Sequence, residues 1–176
     1  MKIKNLLCNS GNPSFWFDQE LFASKIFIKN IVSNQFQNQC IQSWNLEVNA
    51  NRKCTIYRIF KEKHSFEKYL LELEYLDRNA LCNLRTGNHK LPISKLRYTN
   101  GTNIYVHCLL CESDEICDEF HVLFNCKYFE EKRKQFMKKF YYTRPNTDKM
   151  NLLFNSNSPK ELQNLGKFSR TILSKF

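Results

Sequence analysis

Four of the eight cysteines lie within nineteen residues, from Cys108 to Cys126. The potential metal ligands follow the order Cys108-x2-Cys111-x9-His121-x4-Cys126. A Cys-x-x-Cys pair in a tight turn directs two thiolates at one point, and a second pair from a returning segment completes a tetrahedral zinc site. In a reducing compartment, clustered cysteines indicate metal binding rather than disulfides. The spacing therefore predicts one zinc ion.

Two further residues are alternative ligands on this pattern. Cys117 is a fifth sulfur within reach, and His107 adjoins Cys108. We favour His121 and Cys126 because they flank a predicted helical turn with an apolar face. Four protein ligands leave no open coordination position, so the site is predicted to be structural rather than catalytic.

Several common catalytic motifs are absent from the sequence. There is no glycine-rich phosphate loop, no G-x-S-x-G and no H-E-x-x-H. Four acidic residues fall inside the predicted zinc-binding segment Cys108–Cys126 and are expected to form a solvated loop and helix start: Asp114, Glu115, Asp118 and Glu119. We therefore predict that the protein is not an enzyme and has no small-molecule substrate.

The charge of the chain favours a polyanionic partner. Its 27 basic and 17 acidic residues give a net charge of +10 and a pI of about 9.2, which predicts RNA or DNA as the partner. The basic residues concentrate in Arg52–Lys68 and Lys127–Lys139; the alternative is a solvated basic face. No stretch approaches the roughly 20 apolar residues of a membrane span, and no secretory signal is visible. We expect an intracellular protein, in the nucleus or cytoplasm, without membrane attachment.

The segments that must position the cluster are predicted to be mainly helical. The expected fold is mainly α, a helical domain with a small zinc-stapled, irregular ββα-like finger. We divide the chain into a loose lead-in (1–17), a helical region (18–87), a zinc-binding region (88–140) and C-terminal helices (141–176). Helices are predicted over 18–47, 54–63, 65–75, 77–86, from 118, over 130–140, after 147 and over 160–175, with loops and a small hairpin over 88–107.

Four stretches together resemble a known family: Leu84–Ile93, Arg97–Tyr98, Cys108–Cys111 and Asp118–Cys126. Their order of leucine, arginine, a small pair, histidine, Arg-Tyr, Cys-x-x-Cys, Asp-Glu-x-His and a last cysteine resembles the zinc-binding tail of non-LTR retrotransposon reverse transcriptases. The likeness is specific between His89 and Cys126 and weaker towards both ends.

The resemblance implies the ligand set Cys108, Cys111, His121 and Cys126, and it places Cys117 where the family has a non-ligand residue. It also implies a role in holding RNA or target DNA. No segment corresponds to the family's polymerase or endonuclease portions, so the resemblance implies a detached C-terminal fragment without polymerase activity.

The leading hypothesis is thus a zinc-stabilised nucleic-acid-binding module. The basic residues expected to contact phosphates are Arg85, His89, Lys90, Lys95, Arg97, Lys127, Lys132, Arg133 and Lys134. Tyr98, Tyr105 and Tyr128 are expected to stack on bases. The alternatives are a zinc-stabilised module that binds other proteins, or a non-functional retroelement remnant.

Overall fold

Helices account for most of the described residues, which confirms the predicted mainly α fold class. The computed structural model describes residues 2–17, 24–98 and 106–176. The chain divides into two compact units, residues 1–48 and 49–176, and the predicted helical region 18–87 spans both. Of the helices within the described ranges, none combines the length and apolar character needed to cross a bilayer.

The first unit contains helices where a loose lead-in was predicted. Helices α1 (Lys2–Asn9) and α2 (Ser14–Phe17) are joined by a turn, in which Gly11 has a φ of 74° and donates its N–H to the Cys8 carbonyl at 3.0 Å. Helix α3 (Lys25–Ala50) corresponds to the predicted long helix. The predicted start of that helix, residues 18–23, lies outside the described residues.

The second unit carries the finger and a helical body. Its α-helices are α4 (Tyr57–Phe60), α5 (Tyr69–Glu72), α6 (Tyr75–Thr86), α7 (Pro92–Tyr98), α8 (Glu130–Phe136), α9 (Lys139–Tyr142), α10 (Thr147–Phe154) and α11 (Pro159–Leu173). Short 3-10 helices cover Arg52–Thr55 and Lys127–Phe129, and a π-helix covers His121–Asn125. Strands β1 (His107–Cys108) and β2 (Ser113–Ile116) form an antiparallel pair.

Helices α6 and α11 pack against each other at the centre of this unit. Gly166 of α11 allows this approach, since a Cβ there would lie 3.0 Å from the Asp77 Cβ. Ser158 caps α11 by accepting the Glu161 N–H, with Pro159 at the first helical position, which agrees with the helix predicted over 160–175. Gly87, with a φ of 68°, ends α6 in the left-handed conformation.

Three predicted boundaries are wrong for identifiable reasons. Ser65 does not cap a long helix, because its hydroxyl and carbonyl accept hydrogen bonds from the Lys61 ammonium at 2.9 and 2.7 Å. Helix α7 occupies part of the region predicted as loops, and Pro92 begins it. The predicted helix over 130–140 is broken at Met137, whose backbone is extended (φ −122°, ψ 143°).

Candidate metal centre

The four predicted ligand residues converge at one point. The ligand atoms of Cys108, Cys111, His121 and Cys126 all lie within 4.8 Å of one another. The Cys108 and Cys126 sulfurs are 3.8 Å apart, and the Cys111 sulfur lies 3.4 Å from His121 Nε2. Three of the four residues are buried and Cys111 is partly exposed. This Cys3His group can hold a metal ion.

Two local structures bring these residues together. Strand β1 supplies Cys108, and the turn before β2 supplies Cys111. In an ordinary α-helix, residues five apart point about 140° away from each other. The π-helix corrects this mismatch, because its wider turn closes a hydrogen bond from the Cys126 N–H to the His121 carbonyl at 2.8 Å. His121 and Cys126 therefore face the same point despite the four residues between them.

Neighbouring side chains hold the ligands in orientation. Glu115 Oε2 lies 2.6 Å from His121 Nδ1, which leaves Nε2 directed at the cysteines. Asp118 accepts the His121 backbone N–H at 2.7 Å and so fixes the start of this turn. Arg133 donates to the Cys126 carbonyl at 2.9 Å and to the Leu123 carbonyl at 2.6 Å. A carboxylate behind a histidine is a common arrangement at protein metal sites.

The thiols of Cys111 and Cys126 differ in acidity. Burial acts to raise the pKa of the Cys111 thiol, but hydrogen bonds with Ser113 and with the neighbouring cysteines outweigh it and lower that pKa to about 6. Burial raises the pKa of the Cys126 thiol to about 12 against a backbone hydrogen bond from Tyr128. Cys111 thus offers a thiolate to a first-bound cation more readily than Cys126 does.

Neither alternative ligand belongs to the group. Cys117 is fully buried in the core beside Cys108, and burial raises the pKa of its thiol. Its N–H extends the hairpin by donating to the Val106 carbonyl at 2.7 Å, and its carbonyl joins the finger to α7 by accepting the Ile93 N–H at 3.4 Å. His107 Nδ1 lies 2.6 Å from the Asp114 carbonyl, across the hairpin.

A buried polar cluster fastens the finger to α7. Glu119, which is 0% exposed, accepts two hydrogen bonds from the Arg97 guanidinium, at 2.5 and 2.8 Å, and contacts His89 Nε2 at 2.9 Å. His89 Nδ1 lies 2.9 Å from the Ser94 hydroxyl. Burial acts to raise the pKa of the Glu119 carboxyl, but the bonds from His89 and Arg97 prevail and lower it to about 2. The carboxylate is therefore ionised and paired.

This burial corrects the predicted phosphate contacts at four positions. The side chains of Arg85, His89 and Arg133 are buried, and that of Arg97 is 12% exposed and bound to Glu119. These four side chains bind carboxylates and carbonyls of the protein itself, which argues against the prediction that they contact phosphates. The predicted residues that lie exposed are Lys90, Lys95, Lys127, Lys132 and Lys134. Of the predicted stacking residues, Tyr128 is 48% exposed, whereas the side chains of Tyr98 and Tyr105 lie outside the described part of the structure.

The sequence reasoning missed the surroundings of Arg85. Its guanidinium donates to the Phe154 carbonyl at 2.8 Å and pairs with Glu67 at 2.5 Å. It also lies over the rings of Phe60, at 4.4 Å, and Tyr69, at 4.9 Å from each centroid. These partners come from three separate segments, and no local pattern marks them as a set.

Comparison of the chain with protein-family models, with curated proteins and with solved structures finds no match. The resemblance to reverse transcriptase tails therefore stays a prediction.

Proposed function

We propose that the chain is a zinc-stabilised module that binds nucleic acid and has no catalytic activity. The observation that carries the zinc assignment is the spacing within the Cys3His group. Tetrahedral zinc, with bonds of about 2.3 Å to sulfur and about 2.0 Å to nitrogen, requires ligand atoms about 3.8 Å apart for two sulfurs and about 3.5 Å apart for sulfur and nitrogen. The separations of 3.8 Å for Cys108–Cys126 and 3.4 Å for Cys111–His121 fit these edges.

The donor types support the same metal. Three thiolates and one imidazole suit zinc better than calcium or magnesium, which prefer oxygen. Because the four protein ligands fill a tetrahedral shell, no position is left for water or substrate, and we assign the ion a structural role. Zinc would join the β1–β2 hairpin to the π-helix, and its binding energy would stabilise the finger.

The distribution of charge supports nucleic acid as the partner. Residues 49–176 carry 23 basic and 14 acidic side chains, a net charge of +9, against 4 basic and 3 acidic in residues 1–48. The excess positive charge therefore belongs to the unit that contains the finger. A surface of this sign attracts a polyanion and steers its approach.

The zinc assignment is tested by native mass spectrometry and metal analysis of the purified chain. We expect one zinc per chain, its loss in Cys111→Ser, and its retention in the matched variant Cys117→Ser. Zinc loss in Cys117→Ser with retention in Cys111→Ser would show that the ligand set is wrong.

The partner assignment is tested on the same zinc-loaded preparation by titration of labelled RNA and DNA at several salt concentrations. Counterion release predicts a linear fall of log K with log salt. Absence of salt-sensitive binding to every nucleic acid tested would refute this part of the proposal.

One observation favours protein binding as a second candidate function. Leu71, Tyr75 and Leu76 are 78%, 69% and 59% exposed within six consecutive residues. Exposed apolar side chains grouped in this way are typical of protein-binding surfaces. If nucleic acid does not bind, a zinc-stapled docking module becomes the better explanation.

A further inference from the structure

A cleft of about 430 Å³ lies beside the segment that links α4 to α5. Lys61, Lys63, Phe66 and Lys68 line one wall, and the end of α10 with the residues after it lines the other. Its volume falls within the range of about 300–1,000 Å³ that is usual for ligand pockets. The lysines of the first wall belong to the basic stretch Arg52–Lys68, whose residues were not among the predicted phosphate contacts.

Two lysines of this cleft are placed to meet phosphates. Lys63 is exposed, and within the described ranges no hydrogen bond or ion pair engages its ammonium group. Lys68 is also exposed and donates to Asn157 Oδ1 at 2.5 Å, which holds its ammonium at the cleft. Such groups can contact a phosphate without first breaking a strong ion pair.

The acidic residues of the cleft only partly offset this charge. Glu67 is committed to the protein, because its two oxygens pair with Arg85 at 2.5 Å and with Lys61 at 3.1 Å. Glu62 is exposed on the same wall. The three lysines of the cleft outnumber its two glutamates, and the buried Arg85 that pairs with Glu67 adds a further positive charge. The cleft therefore retains a net positive charge.

Phe66 adds an aromatic surface next to the lysines. Its side chain is 66% exposed although it lines the cleft. An exposed aromatic ring between lysines is the arrangement with which proteins bind single-stranded nucleic acid, because bases stack on the ring while cations contact the backbone.

Asn155 provides an acceptor in the opposite wall. Its amide nitrogen donates to the Phe60 carbonyl at 2.8 Å and to Asn151 Oδ1 at 2.6 Å. These bonds fix the side chain, and no donor among the described residues reaches its carbonyl oxygen. A base amino group can donate to that oxygen.

We propose that this cleft receives a nucleotide of single-stranded nucleic acid, with the base on Phe66 and the adjoining phosphates at Lys63 and Lys68. The inference rests on the proposed nucleic-acid-binding function and moves its principal contact from the finger to the helical body. The burial of Arg85, His89, Arg97 and Arg133 removes four of the nine contacts predicted around the finger.

The test is fluorescence anisotropy of the zinc-loaded full chain with labelled single-stranded RNA and DNA of about 12 nucleotides, within the usual site size. Phe66→Ala is expected to weaken binding about tenfold with little change in salt dependence, because it removes stacking. Lys63→Ala is expected to reduce the slope of log K against log salt by about 0.7, which corresponds to one phosphate contact. Both side chains are exposed, so both variants are expected to fold normally.

Matched controls are Phe140→Ala, an aromatic residue 55% exposed elsewhere, and Lys167→Ala, an exposed lysine on α11. Both are expected to bind as the wild type does. Wild-type affinity in Phe66→Ala and Lys63→Ala would overturn the cleft assignment, and a loss in Tyr128→Ala or Lys132→Ala instead would move the contact back to the finger.

The two proposals fail in different ways. A wild-type chain that shows no salt-sensitive binding overturns both the nucleic-acid function and the cleft assignment, whereas binding that is insensitive to the cleft variants overturns the cleft assignment alone. An acidic peptide that competes as well as the oligonucleotide would also refute the stacking step, because that contact requires a base.

Discussion

Arg85 was predicted to contact nucleic acid, whereas its burial indicates a structural role. The substitution Arg85→Met tests which of the two roles it has. The side chain is 0% exposed and pairs with Glu67. Methionine retains much of the volume but removes the charge and the donor to the Phe154 carbonyl. Breaking a buried ion pair costs about 3–5 kcal/mol, and a buried carbonyl left without a donor costs about 1–3 kcal/mol.

Two features reduce this loss. Lys61 still pairs with Glu67, and Arg85 Nε already lacks a hydrogen-bond partner among the described residues. We therefore expect the free energy of unfolding of residues 49–176 to fall by about 3 kcal/mol. With a urea m-value of about 2 kcal/mol/M, the unfolding midpoint should fall by about 1.5 M.

The distribution of aromatic residues provides a separate signal for each unit. Both tryptophans, Trp16 and Trp44, lie in residues 1–48, and all eight tyrosines lie in residues 49–176. Near-ultraviolet circular dichroism of tyrosine therefore follows the second unit, and tryptophan fluorescence follows the first. We expect only the tyrosine transition to shift.

The control is Lys90→Met, which removes an exposed cation five residues away and should change stability by less than about 0.5 kcal/mol. Adding Glu67→Met to Arg85→Met should cost less than the sum of the single changes, by about 1–3 kcal/mol, because the partners are coupled. An unchanged tyrosine transition in Arg85→Met, together with weaker nucleic-acid binding, would refute this reasoning. Arg85 would then be a nucleic-acid contact rather than a structural residue.

Two further predictions concern the backbone at the end of α6 and the carboxylate behind the metal site. Gly87→Ala should destabilise the second unit by at least about 2 kcal/mol in the same denaturation assay, because its φ is 68° and a Cβ would lie 2.3 Å from the Lys53 carbonyl oxygen; a loss below about 1 kcal/mol would contradict the close approach. Glu115→Gln should weaken zinc affinity about 10–100-fold in a chelator competition while the helical content stays unchanged. Asp114→Asn, in the same hairpin, should leave that affinity unchanged; equal effects of both changes would show that Glu115 does not orient His121.

The features that the sequence predicted well are those set by neighbouring residues. Ser158 and Pro159 specify the start of α11 through a cap and a fixed φ, and Gly87 ends α6 because it adopts a positive φ without strain. The convergence of the Cys3His group was likewise expected from residue type and spacing. At the two helix ends the physical cause lies within a few residues of its effect, and in the Cys3His group it lies within nineteen.

The features that the sequence did not predict depend on distant partners. Arg85 is buried because Glu67 and Phe154, 18 and 69 residues away, supply its acceptors. A basic residue in a basic chain otherwise indicates a solvated surface. Ser65 likewise has the right type for a helix cap, but the Lys61 ammonium uses its oxygens. Neither outcome can be read from local propensity.

The residues that carry the resemblance to reverse transcriptase tails have a physical explanation that does not require nucleic acid. His89, Arg97 and Glu119 form one buried cluster, and Glu119 lies two residues before His121 in the segment that presents this ligand. The pattern therefore combines the metal ligands with the ion pairs that fasten them to α7. A sequence with this pattern specifies a way to fold a finger onto a helical body. Contacts with a partner can then be made elsewhere, which is why the cleft beside Phe66 is the more informative place to search for them.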